Sequence, residues 1–249
     1  MQITMAQFKS KLGEVEKNFE LAENLIRCAK NSDVVVLPEL WTTGYFPTPI
    51  EKFADKNSER TANFISKLSK ELNMNIVAGS IIAEVDGKFY NRCLVSDRRG
   101  KIIATYDKAH LFTFAGEEKI FTAGDKIVTV EIDGVKCGLA ICYDLRFPEF
   151  IRKIALQGAE ILFIPAAWSL KRLTPRQILT KARAIEDQIF VVFVNSAGIS
   201  EIINPLGEVI FESDTAEKIF NVEIDLESRK KFIATMNLLA DRNLTVDNL

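Results

Sequence analysis

Two hydrophobic periodicities alternate along this chain. Phe19, Ala22, Leu25, Ile26 and Ala29 recur at helical spacing within residues 15–30, and Ala62, Ile65, Leu68 and Leu72 do so within 59–72. Each stretch predicts an amphipathic helix. Short apolar runs stand between and after them, at residues 1–8, 34–37, 75–83, 89–96, 101–105, 135–141, 161–168 and 190–194. Runs of that length predict strands. Asp86-Gly87, Arg99-Gly100 and Asp133-Gly134 read as hairpin turns, where the backbone needs positive φ. Pro148 and Gly158 bracket a helix over 147–157, and Thr174-Pro175, as N-cap and first residue, start another running to about Asp187. Strands and helices alternate without a linker or repeat, which predicts one α/β domain over residues 1–249. Periodicity alone does not separate a doubly wound single sheet from two sheets with helices outside them.

Three of the apolar runs end on an ionisable side chain. Val34-Val-Val-Leu37-Pro38-Glu39 delivers a carboxylate, Ile102-Ile-Ala-Thr-Tyr-Asp-Lys108 an amine, and Gly138-Leu-Ala-Ile-Cys142-Tyr-Asp-Leu-Arg146-Phe-Pro-Glu149 a thiol at a strand-to-helix junction. Sites in open α/β architectures gather at such strand ends, and backbone N–H groups at the junction can face a developing negative charge. A free thiol is mostly protonated at neutral pH and needs a base or a nearby cation to attack a carbonyl. Acid, amine and thiol are therefore the parts of an acyl-transfer site. The plain alternative for Cys142 alone is a small core residue.

Composition narrows the field further. The chain has 249 residues, 47% of them hydrophobic and 27% charged, enough to bury a substantial core. A net charge of −2 gives no broad footprint for nucleic acid, and Arg98-Arg99 reads as a solvated turn. No apolar run approaches the ~18 residues that span a bilayer, and the chain opens on a strand pattern instead of a signal peptide. Cys28, Cys93, Cys137 and Cys142 lack CxxC spacing, so a cytoplasmic protein without membrane partner is expected. His110 is the only histidine, too few for a His-rich zinc site, and no cysteine-protease signature surrounds it. Phosphate-cradling and dinucleotide glycine motifs are absent. No cofactor and no metal is expected.

The ordered trio, followed by Lys181-Ala-Arg-Ala-Ile-Glu-Asp-Gln188 and Asn204-Pro-Leu-Gly207, resembles the nitrilase, or carbon–nitrogen hydrolase, superfamily over essentially the whole chain. That resemblance implies a four-layer α-β-β-α sandwich. It implies Glu39 as general base, Lys108 as electrostatic partner, and Cys142 as the nucleophile that forms an acyl thioester. Lys108 and the Tyr143 backbone N–H would hold the oxyanion. Gly116-Glu117-Glu118-Lys119 resembles the segment carrying a second, substrate-orienting glutamate; gap-free alignment on Phe121 and Gly124 falls on Glu117, with Glu118 the other candidate. Arg146 could meet a substrate carboxylate or pair with Glu149, and Trp168 could open on the pocket or pack in the core. Ile199-Ser-Glu-Ile-Ile-Asn204 follows Gly198 almost at once, where the family commonly has a longer excursion, so that rim is expected to be open or dependent on a partner subunit.

Within the superfamily the Cys142–Glu149 segment and the compact length resemble the omega-amidase branch, which implies ammonia release from small carboxylate-bearing amides. N-carbamoyl amino-acid hydrolase, nitrilase, and a non-catalytic small-molecule binding protein on the same scaffold are the alternatives. The resemblance also implies at least a homodimer, built on the helix after Cys142 and the one beginning at Pro175.

Overall fold

The computed structural model describes residues 1–196 and 198–243, and fourteen strands in it form two sheets. The first sheet contains β1 (Gln2–Gln7), β2 (Val34–Val36), β3 (Asp55–Lys56), β4 (Asn75–Val77), β5 (Ile81–Val85), β6 (Lys88–Ser96) and β7 (Ile102–Asp107). The second contains β8 (Thr129–Ile132), β9 (Val135–Leu139), β10 (Ile161–Ala166), β11 (Phe190–Asn195), β12 (Glu201–Ile203) and β13 (Val209–Glu212). β14 (Lys218–Glu223) returns to pair with β1 in the first sheet. Strand order is β14-β1-β2-β4-β6-β5-β3, with β7 also on β6, and β13-β12-β11-β10-β9-β8.

Side-chain alternation explains the layering. Ile3, Met5, Val34, Val36 and Val77 point into a core shared with β9, β10 and β11, whereas Val35, Ile76 and Ala78 point the other way. That outer face is covered by α1 (Val15–Cys28) and α2 (Glu59–Leu72), which bury Phe19, Ala22, Ile26, Ile65 and Leu68. α3 (Pro148–Leu156) and α4 (Leu173–Asp187) cover the far face of the second sheet, and α5 (Leu226–Thr235) follows β14. The result is the expected α-β-β-α sandwich.

The central strands β1, β2 and β4 are parallel, as are β9, β10 and β11. β7 runs antiparallel to β6, which is antiparallel to β4, so β7 ends at the same edge as β2 and β4. Glu39, Lys108, Cys142 and Trp168 all lie just beyond strand ends.

Three sequence expectations need correction. The run 75–83 is two strands, because Gly79 interrupts it with φ +58, and a Cβ there would sit 2.0 Å from the Pro38 carbonyl oxygen. The break lets the turn carrying Glu39 press against the neighbouring chain. α4 starts at Leu173, so Thr174 is inside the first turn instead of capping it; Pro175 is tolerated because first-turn N–H groups lack helical partners anyway. Arg98 is no solvated turn residue: it bonds Asp33 at 2.6 Å, Asp133 at 2.7 Å and the Asn73 carbonyl at 2.6 Å, tying a hairpin of each sheet together. Arg99 is exposed. Asp86-Gly87 and Asp133-Gly134 are the expected positive-φ turns.

Candidate active site

Three segments far apart in the chain bring ionisable groups to one buried point. Lys108 Nζ stands 2.8 Å from Glu39 Oε1 and 2.8 Å from Glu117 Oε1, with all three side chains sealed from solvent. The carboxylates have further donors. Asn91 Nδ2 donates to Glu39 Oε1 at 2.9 Å and the Ala167 N–H to Oε2 at 2.9 Å. The Tyr45 hydroxyl donates to Glu117 Oε1 at 2.8 Å and the Phe112 N–H to Oε2 at 2.7 Å. Buried charges are tolerated only when paired and fully hydrogen-bonded in this way. Glu118 is exposed, so Glu117 is the carboxylate of this cluster.

Two carboxylates face one ammonium, and that imbalance sets the proton positions. Burial opposes the charge on Lys108, but Glu39, Cys142 and Glu117 outweigh it and raise its pKa, so the amine stays protonated. Burial raises the Glu117 pKa, Lys108 counteracts, and the Glu39 charge adds to the rise. For Cys142, burial and then the Glu39 charge push the thiol well above its ordinary range, against the pull of Lys108 and the Ala167 N–H. The thiol therefore rests protonated. A thiolate forms here only as a neighbouring base takes the proton.

Cys142 sits on a strained elbow. β9 ends at Leu139, and Cys142 enters the short 3₁₀ turn Cys142–Arg146 with φ +44, the left-handed region that non-glycine residues seldom occupy. Asp144 holds this geometry. Its Oδ2 accepts the Ile141 N–H at 2.8 Å and the Tyr106 hydroxyl at 2.7 Å; its Oδ1 accepts the His110 N–H at 2.9 Å and lies 2.8 Å from His110 Nδ1. One buried carboxylate thus joins the elbow to the chain just beyond Lys108. Each donor orphaned by its removal would cost about 1–3 kcal/mol. From the other side Arg183, in the Lys181–Gln188 segment, donates through Nε to the Leu145 carbonyl at 3.1 Å.

The thiol opens on a small cleft of about 160 Å³, walled by Tyr45, Phe112, Tyr143, Arg146 and Trp168, with Arg172 at one side. The Arg146 guanidinium lies 4.7 Å from the Trp168 ring and 5.8 Å from the Tyr143 ring. Among the described residues it forms no ion pair, with Glu149 or any other. Trp168 both packs and lines: it is almost fully buried, and the Asn195 amide clamps its backbone at 2.7 and 2.9 Å. A wider surface groove of about 500 Å³ beside α1 is lined by no cysteine. Ala197 lies outside the described residues.

This arrangement can be set against known proteins. The carbon–nitrogen hydrolase model matches residues 2–234. The chain belongs to the carbon–nitrogen hydrolase family. It is similar to the 2-oxoglutaramate amidase of Bacillus subtilis (strain 168), 41% identical over 90% of this chain and 91% of the relative. It is similar also to omega-amidase NIT2 of Xenopus tropicalis, 30% identical over 90% of each chain. XC1258 of Xanthomonas campestris, a CN-hydrolase superfamily protein with an arsenic adduct in its active site, superposes with a TM-score of 0.91 at 27% identity, covering 98% of this chain and 97% of that one. This carbon–nitrogen hydrolase therefore carries its buried acid–amine–thiol cluster on the family's own fold. Tyr45, Asn91 and Asp144 were not singled out from sequence, because their roles depend on partners remote in the chain.

Proposed function

We propose that this hydrolase releases ammonia from a small amide whose acyl group bears a carboxylate, an omega-amidase-type reaction. Glu39 is the general base, Cys142 the nucleophile, Lys108 the electrostatic partner, and Glu117 the group that holds Lys108 and orients substrate. The observation carrying this reading is the single ammonium held between two buried carboxylates beside a protonated thiol, next to an Arg146 that makes no ion pair among the described residues. As Cys142 Sγ attacks the amide carbon, Glu39 takes the thiol proton, and Lys108 with the Tyr143 N–H stabilises the oxyanion. Glu39 passes that proton to the nitrogen, the C–N bond breaks, ammonia leaves and a thioester remains. Water then gives a proton to Glu39 and its oxygen to the acyl carbon; the acid departs and the thiol is restored.

Arg146 supplies the carboxylate preference, since a charge-assisted hydrogen bond is worth roughly ten- to a hundredfold in rate. A panel of carboxylate-bearing amides, uncharged amides, N-carbamoyl amino acids and nitriles, read as ammonia, tests this. The carboxylate-bearing amides are expected to lead in kcat/KM. Faster release from N-carbamoyl amino acids, or equal rates on charged and neutral amides, contradicts the proposal.

The proposal includes a homodimer in the cytoplasm. Leu156 on α3, Ile178 and Ile185 on α4, and Leu206 on the β12–β13 hairpin are exposed apolar residues on the side that carries the elbow's supports. Pairing there would brace Cys142. Light scattering should give twice the chain mass at assay concentration; a fully active monomer contradicts it. Four unpaired cysteines suit a reducing compartment, and no described helix is long and apolar enough to cross a membrane.

A further inference from the structure

A second cavity meets the site away from the thiol. It measures about 160 Å³, and Lys9, Ser10, Glu39, Tyr45, Ala167 and Ser196 line it. The cleft that holds Cys142 has no Glu39 in its walls, and this cavity has no Cys142 in its own. Tyr45 and Ala167 line both and form the partition between them. Outward, Lys9 and Ser196 also wall a further cavity of about 230 Å³ floored by Gln7, and Lys9 is exposed, so the path from Glu39 leads to the surface there. Its frame is pinned: Gln7 Oε1 accepts the Ser200 hydroxyl at 2.6 Å and the Ser213 hydroxyl at 2.8 Å, and Ser200 Oγ in turn accepts the Asn195 N–H at 3.0 Å. Ser10 Oγ is left over. It is buried and has no hydrogen-bond partner among the described residues, the situation in which a buried hydroxyl ordinarily bonds an ordered water.

The reaction gives a reason for a second way in. An acyl chain with its carboxylate on Arg146 occupies the thiol cleft, itself only about 160 Å³, and blocks that approach to the thioester. Glu39 hands its proton to the amide nitrogen, so ammonia departs on the Glu39 side and the attacking water must arrive there. We infer that the cavity between Ser10 and Ser196 is the port through which the deacylating nucleophile reaches the acyl-enzyme. The inference rests on the acyl-enzyme reading above and adds the route that its second step takes. The Glu39 carboxylate itself stays covered, so passage requires the partition at Tyr45 to open. Side-chain and loop motions on the order of nanoseconds to microseconds do this well inside a turnover.

Hydroxylamine in competition with water tests the port, because the hydroxamate-to-acid ratio does not depend on how much of a variant is folded. In capture its nitrogen bonds the acyl carbon, Glu39 takes the proton, the C–S bond breaks and the proton returns to Cys142 Sγ. Ser10→Leu and Ser196→Leu narrow the port from two sides. Each should lower the ratio about tenfold, since hydroxylamine is larger than water and a methylene-sized change in a tight site discriminates on that scale. kcat should fall more than kcat/KM, because the amide enters through the cleft. Ser10→Ala breaks no hydrogen bond among the described residues and widens the port; it should raise capture by O-methylhydroxylamine relative to water. Arg172→Ala opens the cleft wall instead and should leave the ratio unchanged. A ratio that moves with Arg172→Ala, or stays fixed in all three serine variants, overturns the port while the acyl-enzyme stands. No hydroxamate from the wild-type enzyme overturns the acyl-enzyme reading itself.

Discussion

Replacing Cys142 with alanine abolishes ammonia release, with an expected loss of at least about 10⁴-fold, because no other group beside the cluster can form the acyl-enzyme. The fold should survive. Alanine carries the same Cβ into the left-handed elbow, and the Asp144 bonds that impose the turn do not involve the thiol. Cys137→Ala is the matched control. Cys137 lies inside β9 with its side chain in the shared core, where burial raises its thiol pKa and its Sγ bonds the Val135 carbonyl. Its replacement should leave turnover within a few-fold. A continuous ammonia assay beside a thermal melt separates the two effects; activity kept in Cys142→Ala and lost in Cys137→Ala would reverse the assignment.

Lys108→Met should damage both stability and catalysis. It leaves Glu39 and Glu117 facing each other in a sealed site without their shared cation, a change worth about 3–5 kcal/mol of destabilisation. One carboxyl responds by holding a proton, since like charges at close range cannot both stay ionised. The pH dependence follows from that sign. A carboxyl with a raised folded pKa stabilises below its unfolded pKa, and that stability is lost as pH rises through the folded value. Lys108→Met should therefore be least stable relative to wild type at alkaline pH. Turnover should fall by about 10²–10³-fold where the fold persists, the usual scale for losing one oxyanion-stabilising group. Urea melts at acid and alkaline pH with kcat measurements check this; a variant equally stable at both would contradict the shared-charge picture.

How much of this was legible in the sequence depends on how local each cause is. The apolar run before Glu39, the helical faces of α1 and α2, and the two Asp-Gly turns are set by neighbours a few residues apart. They read correctly. The break at Gly79 is not local, because it answers to the Pro38 carbonyl on an adjoining segment. The start of α4 departs from the sequence expectation for a related reason: the preceding 3₁₀ turn, capped by Ser169, delivers the chain into the helix before Thr174 can cap it. Ordered motifs pointed to Glu39, Lys108 and Cys142, and alignment favoured Glu117, the carboxylate that the fold places on Lys108. Asp144 lies inside the thiol segment, yet its importance comes from Tyr106 in β7 and His110 just beyond that strand, more than thirty residues earlier in the chain. Arg172 had no sequence signal. Its position beside the thiol is a product of the Trp168 indole bond and the two phenyl rings beneath it.

Central to the account is a thioester on Cys142 common to all substrates of one acyl group, and competition for that intermediate tests it most directly. Hydroxylamine added during turnover should capture the acyl group as a hydroxamate and regenerate the thiol, in competition with water. A primary amide, an N-methyl amide and a methyl ester sharing one acyl group should give the same hydroxamate-to-acid ratio, because the leaving group has gone before the partition. Cys142→Ala should give no hydroxamate. A ratio that changes with the leaving group, or hydroxamate formed without Cys142, would contradict the shared acyl-enzyme.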